Sequence, residues 1–235
     1  MNDFSYIGTE LEVFNHATEW KNYYGKHLRP FLGEEVLEVG AGIGGTTKIL
    51  CESKQKRWVC LEPDETLAAQ IKNQIASGQL PPHCEARAIS STELPAEEKF
   101  DSIIYIDVLE HIEEDKKELL TISRHLKKNG FLIILCPAHQ KLFTPFDAAI
   151  GHFRRYNKRL LTDAAPSNLK CIKLIYLDSV GLLASLGNKL ILNSSSPSYK
   201  QIQFWDKMLV PISRLTDPIS RFRIGKSILG VWQNL

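Results

Sequence analysis

The chain of 235 residues carries a formal net charge of +2, with 43% apolar and 24% charged residues. That length suits one globular domain with room for a sizeable insertion. The composition excludes low-complexity and collagen-like chains; the net charge says nothing about partners, but basic residues that form no dense stripe leave nucleic acid unexpected. The five cysteines, Cys51, Cys60, Cys84, Cys136 and Cys171, form no C-x-x-C pair and read as reduced thiols of a cytoplasmic protein. Met1 to Phe4 shows no basic segment leading into an apolar core, and no long unbroken apolar run follows. Neither a secretory signal nor a membrane span is expected.

In chain order, residues 10–29 predict a helix rich in aromatics (Phe14, Trp20, Tyr23, Tyr24), ended by Pro30. Val36 to Val39 predicts a first strand, and Thr46 to Ser53 a helix beyond a run of glycines. Trp58 to Leu61 predicts a second strand. Pro63 is expected at the start of the next helix, where a missing N–H does no harm, and that helix runs to about Ile75. A third strand is expected near Cys84 to Ile89 and a fourth over the apolar run Phe100 to Ile106. Ile112 to Lys128 predicts a helix stopped by Asn129-Gly130, ahead of a fifth strand from Phe131 to Cys136 that ends at Pro137. Residues 138–156 read as irregular, 157–164 as a short helix, Lys170 to Leu177 as a sixth strand and Ser227 to Trp232 as a seventh. Strands that alternate with helices and are apolar on both faces imply an α/β fold. Its doubly wound, mostly parallel seven-stranded sheet is covered on both sides, with a helical insertion over 179–224 between the last two strands. The expected organisation is an N-terminal helical lid over residues 1–30 and one ligand-binding domain over 31–235.

Between the first strand and the first following helix lies Glu38-Val39-Gly40-Ala41-Gly42-Ile43-Gly44-Gly45. Glycine there allows a tight turn and a close approach of ligand to backbone, at the sheet edge where nucleotides lie. Gly40, Gly42 and Gly45 also satisfy the dinucleotide pattern G-x-G-x-x-G. Glu38 can accept a hydrogen bond from an ammonium group. Glu62, ending the second strand, can accept from both hydroxyls of a ribose, a feature shared with nicotinamide enzymes. Together with Asp107-Val108-Leu109-Glu110-His111 after strand four, these residues resemble the class I S-adenosylmethionine-dependent methyltransferases of the bacterial small-molecule, UbiE- and UbiG-like type, over about residues 30–137. The resemblance implies a Rossmann-like fold with S-adenosyl-L-methionine as cofactor. It implies Glu38, Gly40, Gly42 and Gly44 beside the methionine part, Glu62 and the adjoining Pro63 at the ribose, Asp107 at the same edge, and Ser90 and Ser91 near the adenine, where many relatives carry an acid.

Methyl transfer requires aligned reactants, exclusion of water and, for a hydroxyl acceptor, removal of a proton. A histidine, with an ordinary pKa near about 6.5, suits the last task. His111, His139 and His152 are the candidate bases, and His111 could equally help to pack the cofactor pocket. Asp107, Glu110, His111 and His139 also resemble the divalent-ion sites of some RNA-end and quinone-pathway O-methyltransferases. The Glu-His pair is widespread in metal-free relatives, and no metal is expected. Residues 138–156, leaving strand five at the ligand edge, carry Asp147, His152, Arg154, Arg155 and Tyr156. The segment resembles a bacterial methyltransferase subgroup whose strand-five loop runs into Phe-Asp, Gly-His and Arg-Arg-Tyr. An arginine pair can clamp a carboxylate or phosphate. The expectation is that one arginine meets the acceptor while the other bonds Asp147 or loop carbonyls and stiffens the segment, with Tyr24 closing the other side.

Between Ser179 and Lys226 the basic residues Lys189, Lys200, Lys207, Arg214, Arg221, Arg223 and Lys226 face only two acids, Asp206 and Asp217. Leu182, Leu183, Leu186, Leu190 and Ile191, then Phe204, Trp205, Met208, Leu209 and Ile212, recur at near-helical spacing. Such helices cap a pocket, form a homodimer contact or lie on an anionic membrane; a cap is the commonest of the three. The functional expectation is transfer of a methyl group to an oxygen or nitrogen of a small-molecule, glycan or lipid-linked acceptor. The alternatives are an NAD(P)-dependent oxidoreductase on the same glycine turn, although the chain lacks a Tyr-x-x-x-Lys pair, and a cofactor-binding module without catalysis.

Overall fold

The computed structural model describes residues 10–191 and 198–235. Residues 1–9 of the expected lid and 192–197 of the expected cap lie outside the described residues. Seven strands form one sheet in the order β3-β2-β1-β4-β5-β7-β6. They are β1 (Glu35–Val39), β2 (Arg57–Leu61), β3 (Cys84–Arg87), β4 (Phe100–Ile106), β5 (Leu126–Pro137), β6 (Leu169–Leu177) and β7 (Ser227–Asn234). The first five pair in parallel, and β7 runs antiparallel to both β5 and β6. The chain therefore has the mostly parallel, doubly wound, Rossmann-like sheet that was expected, with the insertion ahead of its last strand.

The strands are apolar on both faces because each face is covered. Val36, Ile104 and Ile133 enter one core, and their neighbours Leu37, Ile103 and Leu132 enter the other. The first core is closed by Trp20, Tyr23, Tyr24 and Leu28 of α2 (Thr18–Leu28), together with Ile202, Trp205 and Val210. These last three belong to α9 (Tyr199–Phe204), a π-helical turn (Trp205–Leu209) and α10 (Val210–Ile219). In the second core, Leu119 and Ile122 come from α5 (Asp115–Ile122) and Leu161 from α7 (Lys158–Ala164). The remaining helices are α1 (Glu10–Asn15), α3 (Thr47–Leu50), α4 (Glu65–Ala76), α6 (Pro145–Ala149) and α8 (Ser179–Ile191).

Several elements differ from the sequence expectation. Residues 10–29 form two helices, α1 and α2, and the Lys21 ammonium binds the carbonyls of Phe14 and Asn15 where α1 ends, at 2.6 and 3.0 Å. Helix α4 begins at Glu65, after Pro63, because the Asp64 carboxylate caps it by accepting from the N–H groups of Thr66 and Leu67 at 2.8 and 3.0 Å. The helix expected to reach Lys128 stops at Ile122, and β5 already begins at Leu126. Asn129-Gly130 is therefore a bulge in a strand. Asn129 has φ +64°, the β4–β5 register shifts between Phe100 and Ser102, and a Cβ on Gly130 would lie 2.9 Å from the Asp101 carbonyl. Pairing with β4 overrides the helical preference of this stretch.

Candidate active site

Strand order reverses at β1 and β4, so the crevice at their carboxyl ends is the ligand-binding edge. Three glycines make the loop after β1 possible: Gly40, Gly42 and Gly44 have φ of +68°, +57° and +77°. A Cβ on Gly40 would lie 2.6 Å from Cγ2 of Val108, just beyond β4. Glycine at position 40 thus lets the ends of the two strands close on one another. The loop is anchored by Gly40 and Ala41 N–H groups donating to the Leu61 carbonyl at 2.8 and 3.0 Å.

Two buried carboxylates frame this loop. Oε2 of Glu38 accepts from Thr47 Oγ1 at 2.6 Å and from Trp58 Nε1 at 2.8 Å, leaving Oε1 outside these bonds. Burial pushes its pKa up to about 7, against the pull of those two donors. Glu62 accepts from the Gly42 N–H at 2.7 Å and from the Asp64 N–H at 3.1 Å, and burial raises its pKa as well. One carboxylate thus sits at the foot of the glycine loop and a second is tied to its apex. Such an arrangement suits a ligand with an ammonium at one end and vicinal hydroxyls at the other. Pro63 is half-buried beside Glu62. Ser90 spends its hydroxyl locally, on Thr92 and Glu93 at 2.8 Å each. Ser91 donates to Glu118 at 2.8 Å, a carboxylate also bound by the Tyr105 hydroxyl.

Asp107 lies at the end of β4 in the left-handed region, φ +54°, a conformation uncommon outside glycine and found at functional sites. Its side chain is exposed to solvent at this edge of the sheet. Desolvation raises its pKa to about 6, opposed by His152, Lys226, Lys21 and Arg155. Next to it Glu110 is fully buried, and among the described residues neither of its carboxyl oxygens has a hydrogen-bond partner within normal geometry. Burial and the adjacent Asp107 hold its pKa well above the carboxylate range. The ring of His111 meets that of His152 edge-on at 4.5 Å, and burial lowers the His111 pKa to about 4, so its imidazole is neutral.

The segment after β5 closes over this end of the sheet. The His139 N–H donates to the Tyr156 carbonyl at 2.7 Å, and the Tyr156 N–H donates to the Pro137 carbonyl at 2.9 Å. Its centre is the buried Asp147. Oδ1 of Asp147 takes His152 Nδ1 at 3.0 Å and Arg155 Nε at 2.9 Å, while Oδ2 takes Arg155 Nη2 at 3.0 Å and Thr144 Oγ1 at 2.7 Å. These donors hold the Asp147 pKa well below the usual range despite its burial. They also fix the histidine tautomer by inference: Nδ1 carries the proton toward Asp147, and Nε2 is left as the acceptor.

Sequence expectation and structure part company over the arginines. Arg154 donates to the carbonyls of Ile112 and Glu113 at 2.9 and 2.7 Å and pairs with Asp115 at 2.9 Å. Arg155 is committed to Asp147, so both guanidinium groups already have protein partners. Tyr156 is buried with its hydroxyl on Asp115 at 2.7 Å. Tyr24 is buried with its hydroxyl 3.0 Å from Thr46 Oγ1, under the glycine loop. His139 has φ +66°, stacks on Tyr176 and engages the Gly225 carbonyl through Nε2 at 2.9 Å. The histidine that joins Glu110 and His111 is accordingly His152: one donor atom from each of these three lies within 4.8 Å of the others.

Lys226, read in the sequence only as one of the basic residues of the insertion, and Lys21 were not expected at the site. The Lys226 carbonyl accepts from the Ala138 N–H at 2.8 Å, at the end of β5. Its ammonium sits 5.1 Å from the centre of the Trp205 ring and, among the described residues, makes no hydrogen bond or ion pair. Burial depresses the pKa of Lys226, and that of Lys21 to about 8. No motif marks either residue, since tertiary packing alone brings them to Asp107.

Comparison with known proteins supports the same assignment. A methyltransferase-domain family model matches residues 37–132. The chain is 29% identical over 153 residues to the protein N-terminal and lysine N-methyltransferase EFM7 of Debaryomyces hansenii, a match covering 55% of this chain and 58% of that protein. It thus spans little more than half the length of that relative. Geranyl diphosphate C-methyltransferase from Streptomyces coelicolor superposes with a TM-score of 0.67 at 12% identity, over 100% of this chain and 86% of the other. The cyclase SpnF superposes with a TM-score of 0.62 at 13% identity, over 90% and 80%. At such identities these structures establish the fold alone. The matched domain, the carboxylate-led glycine loop and the strand order together make the chain similar to the class I S-adenosylmethionine-dependent methyltransferases.

Proposed function

We propose that the protein transfers a methyl group to an oxygen or nitrogen of a small-molecule, glycan or lipid-linked acceptor, with His152 as general base. S-adenosylmethionine, when bound, supplies a methyl group on an electrophilic sulfonium. Glu38 would accept from its ammonium, Glu62 from its ribose hydroxyls, and the backbone of Gly40, Gly42 and Gly44 would admit it to the strand ends. The chain's own task is then to hold the acceptor, exclude water and take its proton.

The observation that carries this reading is the Asp147–His152 pair beside Asp107. An ionised Asp147, kept so by Arg155 and Thr144, orients the imidazole and stabilises the charge that it gains with the acceptor proton. Neutral His111 packs against the ring, and Glu110, held protonated, adds no competing charge. His139, bound to Gly225 and stacked on Tyr176, serves the fold of the segment. Lys226 gives this edge a half-buried amine on an aromatic wall, suited to an acceptor that carries a carboxylate or phosphate. No metal is assigned a part.

The test has two stages. S-adenosylhomocysteine should raise the melting temperature and NAD should not; stabilisation by NAD alone would move the chain to the oxidoreductase reading. With an acceptor in hand, His152→Asn should lower kcat by about 10²–10⁴-fold, and His139→Asn by far less. Full turnover by His152→Asn would overturn the base assignment. Turnover abolished by chelation and restored by a divalent ion would give Glu110, His111 and His152 a metal-binding role.

A further inference from the structure

Helix α10 is amphipathic in the inverse sense. Beyond Val210 its buried side is polar: Asp217 accepts from the Tyr23 hydroxyl at 2.7 Å and from the N–H groups of Asp178 and Ser179 at 2.7 and 2.9 Å, and Ser213 donates to Asp178 at 2.7 Å. Its outward side is apolar. Ile219 is 82% exposed, Leu215 71% and Ile212 46%, and the stripe continues back through Met208 at 54% and Phe204 at 58%. The spacing 204, 208, 212, 215, 219 is that of one helical face. A soluble surface scatters such residues singly; a continuous row is an interaction face.

Glu19 of α2 pairs with Arg214 at 2.7 Å, and the exposed charges within residues 198–224 all have one sign. Between residues 198 and 224 the exposed charged side chains are Lys200, Lys207, Arg221 and Arg223. Both acids of the stretch are buried, Asp206 on the N–H groups of Glu19 and Trp20 and Asp217 as above. A symmetric homodimer through this face would set like charges against their own copies across the two-fold axis. An anionic bilayer meets both features at once, since apolar side chains enter the acyl boundary and the basic rim meets lipid phosphates. No helix among the described residues is long and apolar enough to cross a membrane, so the contact is a surface one.

We infer that the outer face of the 204–219 helical segment docks the protein on an anionic lipid surface. The inner side of the same segment presents Trp205 to Lys226 in the candidate site, so docking would set the acceptor pocket close to the lipid headgroups. The inference goes beyond the proposed reaction and is read without turnover, so either can fail alone.

The test is co-sedimentation of the full chain with vesicles of phosphatidylcholine, with and without phosphatidylglycerol. Binding should require the anionic lipid and weaken with salt. The pair Leu215→Glu and Ile219→Glu should reduce partitioning by about tenfold or more. Both positions are exposed, so the melting temperature should hold. Arg221→Gln and Arg223→Gln should each cost about fivefold on anionic vesicles and nothing on neutral ones. Equal binding to both vesicles, or undiminished binding by the Leu215/Ile219 variant, would overturn the inference. So would failure to bind vesicles combined with a solution dimer that the same variant dissolves, which would assign the face to a second copy.

Discussion

At the end of β1 the site is shaped by backbone: three left-handed glycines, N–H groups turned onto Leu61 and Glu62, and Glu38 two residues before the turn. At the end of β5 it is shaped by side chains: Asp147 gathers Thr144, His152 and Arg155, while Asp178 and Asp217 gather Tyr23, Trp205 and Ser213 from remote parts of the chain. The first arrangement leaves lone pairs and open backbone for a ligand. The second is largely satisfied within the protein. Losses on the two sides should therefore appear in different measurements, binding for the β1 edge and stability for the β5 edge.

The largest effect is expected on the β5 edge. Asp147→Ala strands the Arg155 guanidinium in a mostly buried place and releases His152 and Thr144, and removing one partner of such a pair costs about 3–5 kcal/mol. Denaturant unfolding would show it, while calorimetry should find affinity for S-adenosylhomocysteine little changed in the folded fraction. A variant as stable as the parent would mean that the segment is not held by this carboxylate. The β1 edge should answer in the reverse way. Glu62→Gln exchanges one accepting oxygen for a donor that conflicts with the Gly42 or Asp64 N–H, and hydrogen bonds to charged groups are worth about 1.5–3 kcal/mol. The expected result is a roughly 10–100-fold weaker Kd for S-adenosylhomocysteine. Unchanged affinity would remove Glu62 from the ribose role.

The same contrast explains what the sequence could reveal. Glu38, the glycines and Glu62 lie in short, strand-anchored stretches whose conformation is dictated locally, and the sheet order follows from alternating apolar runs. Asn129-Gly130 misled because a left-handed Asn before Gly serves a helix end and a strand bulge equally well, and only pairing with β4 chooses between them. For the arginines, sequence supplied the right partners, Asp147 and loop carbonyls, but not that both would be engaged at once. Glu110 gives no sign in sequence of being buried without a hydrogen-bond partner, because its surroundings are assembled from Asp107, Cys136, His152 and Arg155. In the insertion the helical spacing of apolar residues was plain. Which side of α10 would face outward was not, since the usual rule buries the apolar side and this helix buries Ser213 and Asp217.

The smallest expected effect separates two carboxylates of the β1–β4 edge by pH. Glu38 has its pKa raised to about 7 and Asp107 to about 6, both chiefly by desolvation. A raised carboxyl pKa means that the folded protein holds a proton which the unfolded chain, near about 4.3 for Glu, has already lost. Stability of the free protein should accordingly fall as pH rises through this interval. A ligand ammonium prefers the ionised carboxylate, so affinity for S-adenosylhomocysteine should move the other way, weakening as pH falls through about 7. The slope is up to tenfold per pH unit below the midpoint, and affinity levels off above it. Glu38→Gln keeps an oxygen for Thr47 and Trp58 but cannot ionise, so calorimetry from pH 5.5 to 7.5 should find its affinity nearly flat. A slope that persists in that variant with its midpoint shifted to about 6 would transfer the ammonium contact to Asp107 and leave Glu38 as a buried brace for Trp58.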